Sequence, residues 1–155
     1  MLRNFLLTLH VVGAIAVFGT TFAFPFVGAL AQKEGAPVAW FLRLVETITS
    51  KWVEPMAATL QPGTGAGLII ISKGAYNPFD SENLWLLIAL ILYTISFFFA
   101  VFVQGRRGKE ALRMAEAQEF GPAFGAHMKK IAMGGQFLTV LLLAIIILMV
   151  VKPGR

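Results

Sequence analysis

Residues 83–105 read NLWLLIALILYTISFFFAVFVQG, and none of these 23 residues is Asp, Glu, Lys or Arg. An α-helix rises ~1.5 Å per residue, so roughly 20 apolar residues cross the ~30 Å hydrocarbon core of a bilayer. This stretch is therefore long enough and apolar enough to be a membrane span.

Three further charge-free runs lie on either side of it. They cover residues 4–32, 55–72 and 131–151, which is 29, 18 and 21 residues. Charged residues make up only 14% of the chain, whereas a soluble domain carries ~25%. We therefore predict an all-α fold, an integral membrane antiparallel four-helix bundle. The predicted spans cover about 5–27, 55–72, 84–103 and 131–151.

The remaining sequence is too short for a second domain, so we predict one membrane domain covering residues 1–155. Its two polar connections are predicted to form interfacial or cytoplasmic helices at about 37–53 and 108–120. In the first of them, apolar residues recur at helical spacing while Arg43, Glu46, Ser50 and Glu54 lie on another face. A polar loop is the alternative interpretation.

Short breaking signals separate these predicted helices. Residues 32–35 are predicted to form a turn, and Pro25 is expected to kink or end the first helix near its far side. Gly121-Pro122 is expected to break the polar connection, and the run from Lys152 to Gly154 is expected to stop the last helix.

The distribution of Lys and Arg predicts the orientation. Arg3, Lys73, Lys152 and Arg155 would share one side of the membrane, and the other nine basic residues would share the opposite side. Since positive residues favour the cytoplasm, both termini are predicted outside a bacterial plasma membrane, with loops 28–54 and 104–130 inside. The net charge of +5 is thereby assigned to orientation and to anionic lipid, and no nucleic-acid partner is expected.

The N-terminal segment also has features of a signal peptide. A basic residue and an apolar stretch precede Ala29-Leu30-Ala31, a small-residue sequence of the kind found at cleavage sites. The apolar stretch is longer than a typical signal peptide requires, so an uncleaved first span is favoured.

Few residues of the spans are suited to chemistry. The chain has no Cys, which excludes disulfides, iron–sulfur clusters and covalently attached haem. His10 is the only histidine in a predicted span, and Met149 could lie at the same depth near the end of the last span. A His/Met pair can ligate haem iron, so these two residues are the candidate cofactor ligands. The alternatives are a histidine bonded to a neighbouring helix and a methionine that only packs. No catalytic residue and no separate metal site is predicted.

The second predicted span is rich in small residues. Gly63 and Gly67 follow the small-xxx-small pattern of closely packed membrane helices, and Gly65 lies between them. Close helix packing is the favoured interpretation. A broken helix between Pro62 and Gly67 that lines a cavity is the alternative.

Several short motifs carry a family resemblance. The sequence Leu9-His10-Val11-Val12-Gly13-Ala14, the pair Thr64-Gly65, the pair Leu84-Trp85 and the C-terminal run from Leu148 to Gly154 resemble a bacterial family of predicted integral membrane proteins of unknown function. That resemblance implies four membrane helices and no established activity.

The first span is also similar, more distantly, to the HemJ-type protoporphyrinogen oxidases and the CopD-type copper-resistance membrane proteins. His10 and Pro25 reproduce the HemJ-type spacing between a haem-ligating histidine and a proline. The resemblance thus implies haem b binding at His10. The chain has Phe26 and Ala89 where the HemJ type has an arginine and a lysine, so the oxidase activity is not transferred.

Three functions remain open at this point. The first is a non-catalytic accessory or scaffold subunit embedded in the lipid bilayer, as a homo-oligomer or within a larger membrane complex. The second is a haem-b-binding redox protein with His10 as axial ligand. The third is a small oligomeric transporter that uses the Pro62–Gly67 region.

Overall fold

The structure, a computed structural model, describes residues 1–34 and 37–154, except for the side chain of Gln32. Every regular element in these ranges is helical. The α-helices are α1 (Leu2–Lys33), α2 (Val38–Ile48), α3 (Gln61–Ile71), α4 (Leu84–Phe98), α5 (Gly105–Glu116) and α6 (Pro122–Val151). Wider π turns cover Thr49–Val53, Met56–Leu60 and Phe99–Gln104, and a 3-10 turn covers Ser81–Asn83.

The π turns join neighbouring α-helices without a break. The chain is helical throughout residues 38–71, here called the α2–α3 rod, and throughout residues 84–116, here called the α4–α5 rod. The helix predicted at 37–53 and the span predicted at 55–72 are therefore two parts of one continuous rod. The predicted turn at 32–35 ends outside the described residues, since Gly35 is not among them, and Arg155 is also outside them.

Two prolines account for the π turns of the α2–α3 rod. Pro55 follows the turn Thr49–Val53, and Pro62 follows the turn Met56–Leu60. Proline has no N–H, and its ring clashes with the carbonyl four residues earlier in an α-helix. A wider turn ahead of each proline removes that clash, so the helix continues.

Contacts between α1 and the α2–α3 rod run in opposite chain directions. A Cβ built on Gly67 would lie 3.1 Å from Leu6 Cδ1, and one built on Gly28 would lie 3.0 Å from Phe41 Cζ. The start of α1 therefore packs against the end of the rod, and the end of α1 packs against its start.

The α4–α5 rod and α6 also contact each other in opposite chain directions. Lys152 Nζ lies 5.7 Å from the ring centroid of Trp85, and the rings of Phe99 and Phe137 have centroids 5.0 Å apart. Further along, Gln104 Nε2 donates to Ile131 O at 3.0 Å. Trp85, at the start of the rod, is 4% exposed, so the end of α6 covers it.

Two apolar clusters join helices that are distant in the chain. The first is formed by Val17 and Phe18 of α1 with Leu142 and Ile145 of α6. The second is formed by Leu42 of α2 with Ala111 and Ala115 of α5, and both alanines are fully buried. Because alanine has the smallest apolar side chain, α2 and α5 approach closely at this point.

Three stretches of helix are long enough and apolar enough to cross a membrane: Leu2–Ala31, Ser81–Glu116 and Pro122–Val151. The α2–α3 rod is not among them, because Gln61, Pro62 and several glycines reduce its hydropathy. Pro25 does not end α1, which continues to Lys33. The predicted stop after α6 is confirmed, since the helix ends at Val151 and Lys152 adopts a left-handed conformation with φ 47°.

Candidate functional site

The side chain of Gln61 joins α3 to the backbone of α1. In the amide orientation that matches donors with acceptors, its nitrogen donates to His10 O at 3.0 Å and its oxygen accepts from Ala14 N at 3.2 Å. These backbone atoms are the two partners of one i→i−4 hydrogen bond in α1. The amide can reach them because residue 13 is glycine: a Cβ there would lie 3.0 Å from the Gln61 side chain.

His10 points its ring toward the same segment of α3. Its Nδ1 lies 2.9 Å from Thr64 Oγ1, and Thr64 Oγ1 lies 2.6 Å from Leu60 O. A carbonyl only accepts, so the threonine hydroxyl donates to Leu60 and accepts from His10. We therefore assign the ring proton of His10 to Nδ1 and the lone pair to Nε2. Together His10, Gly13, Gln61, Thr64 and Gly65 form what we call the α1–α3 polar cluster.

The three glycines predicted to serve helix packing have different surroundings. A Cβ on Gly65 would lie 3.4 Å from His10 Cε1, and one on Gly67 would lie 3.1 Å from Leu6 Cδ1. A Cβ on Gly63 would meet no described atom within 4 Å. Gly65 and Gly67 therefore lie against α1, whereas Gly63 faces away from it. The helix is continuous from Gln61 to Ile71, so the break at Pro62–Gly67 that the transporter hypothesis requires is not formed.

Met149 and His10 have different contacts. Met149 is partly buried against the first apolar cluster, which contains Leu142 and Ile145 of its own helix. His10 is bonded to Thr64. Met149 is therefore placed with the first apolar cluster, and His10 with the α1–α3 polar cluster. Residues 1–34 and 37–154 contain no group of three or more His, Cys, Asp or Glu side chains arranged to hold a metal ion.

Other polar side chains of the apolar helices bond to backbone carbonyls. Tyr93 of α4 donates its hydroxyl to Ala57 O, which joins the two long rods. Thr94 and Thr139 instead donate to Leu90 O and Gly135 O of their own helices. These hydroxyls are therefore satisfied inside the protein.

A central cavity of about 350 Å³ lies between α1, the α2–α3 rod, the α4–α5 rod and α6. One part of its wall is apolar and includes Val17, Phe18 and Leu142. Another part carries Glu46, Glu54 and further polar side chains of the α2–α3 rod. His10 does not line this cavity, so the α1–α3 polar cluster and the central cavity are separate features.

The carboxylates of the cavity were not among the predicted site residues. Glu46, Ser50 and Glu54 recur every four residues, and the sequence alone suggests the water-facing side of an interfacial helix. In the structure, all three line the central cavity, while Trp40 and Trp52 of the same segment are exposed. The spacing of these three residues indicates that they share one face of the helix. Whether that face contacts water or a cavity depends on how the other helices pack.

Long apolar helices and apolar side chains exposed along them define this chain as an integral membrane protein. A family model described as "Predicted integral membrane protein (DUF2269)" matches residues 4–153, and the chain belongs to this family. No curated protein matches the chain, and no solved structure matches it. The expected family of integral membrane proteins of unknown function is thus confirmed, whereas the relation to the HemJ and CopD types stays a prediction.

Proposed function

We propose that this protein is a non-catalytic accessory or scaffold subunit of a bacterial plasma membrane, working as a homo-oligomer or within a larger membrane complex. The observation that carries this proposal is the use of polar side chains between the helices. Gln61, Thr64 and Tyr93 bond to partners on another helix. Buried polar groups in lipid mark functional sites by default, but here they serve to join helices.

The same proposal includes an antiparallel bundle in which the α2–α3 rod is the fourth membrane crossing. At ~1.5 Å per residue, a rod covering residues 38–71 is on the order of 50 Å long, which exceeds the hydrocarbon core. Its contacts follow α1 from Leu6 to Gly28. Glu46, Ser50 and Glu54 of this rod line the cavity, and Gln61 and Thr64 bond to α1, which is where polar groups of a span are tolerated.

Single-cysteine labelling tests this topology, because the natural chain has no Cys. We expect Lys73→Cys to react with a membrane-impermeant thiol reagent from outside the cell. Glu34→Cys, at the other end of the α2–α3 rod, should react only after the membrane is opened. The unsubstituted protein is the control. Labelling of both positions from the same side would contradict the fourth crossing.

Native mass measurement in mild detergent tests the scaffold role. The helices expose many large apolar side chains, among them Ile15 at 66% and Val140 at 65%. In a membrane such surfaces face lipid or another protein. We expect a mass above that of one chain, from further copies or from partner subunits. A strictly monomeric protein that turns over a small substrate would contradict the proposal.

The tautomer of His10 favours a second candidate function, haem b binding. Haem iron takes a histidine through one ring nitrogen, and a hydrogen bond at the other nitrogen fixes the ring. Thr64 supplies that bond at Nδ1, so Nε2 is suited to serve as the axial ligand. The residues thus fit one axial position, and a bound haem would supply one-electron redox chemistry.

An absorption spectrum of the freshly purified protein tests this candidate. If haem binds through His10, a Soret band is present or appears on adding haem, and His10→Ala abolishes or shifts it. The matched control is His127→Ala, since His127 lies on α6 and bonds to Arg107 O. A protein that gives no Soret band after haem addition would exclude this candidate.

A further inference from the structure

The central cavity has the dimensions of a ligand site. Its volume of about 350 Å³ lies within the range of roughly 300–1,000 Å³ that small-molecule sites occupy. Along α6 it is lined from Met128 to Leu142, which corresponds to about 21 Å of helix. The cavity is therefore elongated and suited to a molecule with a long apolar part.

The polar side of this cavity carries negative charge. Glu46, Ser50 and Glu54 line it together. Four residues exceed one full turn of an α-helix, so a stripe with this spacing drifts around the helix. The wider π turn Thr49–Val53 turns through a smaller angle per residue, so it reduces the rotation of the stripe around the helix axis. Both carboxylates therefore stay on the cavity side.

Neither carboxylate has a partner in the part of the chain that the structure describes. The ion pairs there are Arg43 with Glu116 and Arg113 with Glu110 and Glu119. Glu46 and Glu54 are both half-buried and take part in none of them. Lys109 also lines the cavity, but it is exposed and forms no ion pair with either residue. Both carboxylates can therefore accept a cationic group that enters the cavity.

Aromatic rings form part of the cavity wall. Phe24, Phe41, Phe97 and Tyr93 line the cavity. Aromatic faces attract cations and also pack against apolar chains. A cavity that carries both carboxylates and several aromatic rings is therefore complementary to a protonated amine attached to an apolar body.

We propose that the central cavity binds an amphipathic amine, with its ammonium group paired with one carboxylate of the Glu46–Glu54 stripe and its apolar chain toward Val17, Phe18 and Leu142. This goes beyond the scaffold role, which needs no ligand. It is also separate from haem binding, because His10 does not line the cavity.

Equilibrium binding of radiolabelled dodecylamine to the full chain in lipid nanodiscs tests the proposal, with empty nanodiscs subtracted. An alkyl amine is protonated at pH 7, since ordinary amines have pKa values near ~10.4. We expect saturable binding, and displacement by dodecanol or dodecanoate that is weaker by about tenfold or more, because neither can form the charged pair. Equal displacement by all three compounds would identify a site for any acyl chain and overturn the proposal, as would the absence of saturable binding.

Two kinds of variant locate the site. Of Glu46→Gln and Glu54→Gln, the variant that removes the carboxylate paired with the ammonium group should weaken dodecylamine binding by about tenfold. Glu116→Gln should leave binding unchanged, since Glu116 pairs with Arg43 outside the cavity. Unchanged affinity in both cavity variants would overturn the assignment of the ammonium position.

A cavity-filling variant keeps the test valid if a carboxylate variant fails to fold. Gly135 lines the cavity, and a Cβ built on it would meet no described atom within 4 Å. Gly135→Leu should therefore occupy the space and abolish saturable binding. Gly63→Leu is the matched control, because Gly63 also has open space but does not line the cavity. Full binding by Gly135→Leu would place the ligand elsewhere and overturn the proposal.

Discussion

His10 Nδ1 lies 2.9 Å from Thr64 Oγ1, and this bond joins residues 54 positions apart in the chain. It connects α1 to α3 at a depth where water is excluded if the helices span a bilayer. Polar bonds of this kind between membrane helices contribute about 0.6 kcal/mol on average and up to about 1.7 kcal/mol. The contact is therefore a modest stabiliser that also fixes the orientation of the imidazole.

Thr64→Val is expected to lower the free energy of unfolding by about 1 kcal/mol, because it keeps the side-chain shape and leaves His10 Nδ1–H without an acceptor. Denaturant unfolding in mild detergent measures the change. Thr94→Val is the control, since Thr94 is exposed and bonds only to Leu90 O of its own helix. An equal loss in both variants would refute a specific role for the bond between the helices.

Gly13→Ala is expected to destabilise the protein by about 1–3 kcal/mol. The new Cβ would lie 3.0 Å from Leu60 Cδ2 and from the Gln61 side chain, which must then leave the α1 backbone. Gly19→Ala on the same helix meets nothing within 4 Å among the described atoms and should stabilise the protein by about 0.5–1 kcal/mol, as alanine favours helix over glycine. Thermal unfolding of the two variants should therefore shift in opposite directions. Shifts of the same sign would show that α1 and α3 are not packed as described.

Gly134→Ala is expected to displace the side chain of Gln104, whose amide lies where the new Cβ would be. The cost should be about 1 kcal/mol, because the hydrogen bond from Gln104 to Ile131 O is lost while the backbone stays in place. Gln104→Ala should cost a similar amount, and the double variant should cost little more than either single variant.

The neighbouring substitution Gly135→Ala serves as the control for this cycle. A Cβ on Gly135 has open space, so the free energy of unfolding of the Gly135→Ala variant should not fall. Strict additivity of Gly134→Ala and Gln104→Ala would mean that the two residues do not interact, contrary to the packing of the α4–α5 rod on α6.

Lys152→Gln is expected to lower the free energy of unfolding by about 0.5–1 kcal/mol through loss of cation–π attraction. Lys152 Nζ lies 5.7 Å from the ring centroids of both Tyr76 and Trp85. Thermal unfolding at the same pH and salt concentration measures the effect. Lys129→Gln removes the same charge at an exposed position of α6 and should change stability less. If both variants behave alike, the effect is one of net charge and not of the aromatic rings.

The long apolar helices could be predicted from the sequence because their signal is local. The charge-free stretch 83–105 alone identifies a membrane helix, and Lys152 to Gly154 marks the end of α6 without reference to any other element. The continuity of the α2–α3 rod could not be predicted. Pro55 and Pro62 are ordinary breaking signals, and only the π turns ahead of them explain why the helix continues.

The candidate sites could be predicted in part. His10 is conspicuous as a histidine in an apolar run, but its bond to Thr64 depends on how two distant segments pack. The stripe of Glu46, Ser50 and Glu54 is visible in the sequence, yet whether it faces water or a cavity depends on where α4, α5 and α6 lie. Helical periodicity predicts which residues share a face, and tertiary packing decides what that face contacts.

The segment Thr49–Val53 decides where the chain can change in length. Successive residues of an α-helix are turned by about 100° relative to each other. The wide turn holds about one residue more than an ordinary turn, so deleting one residue there would restore ordinary winding and leave the faces on either side nearly unchanged. Deleting one residue between Glu46 and Thr49 would instead rotate everything upstream by roughly 100° relative to α3, and Glu46 would leave the cavity side. Losses of single residues should therefore be accepted at the wide turn and in the connection between Glu116 and Pro122, which belongs to no helix, and rejected within α2.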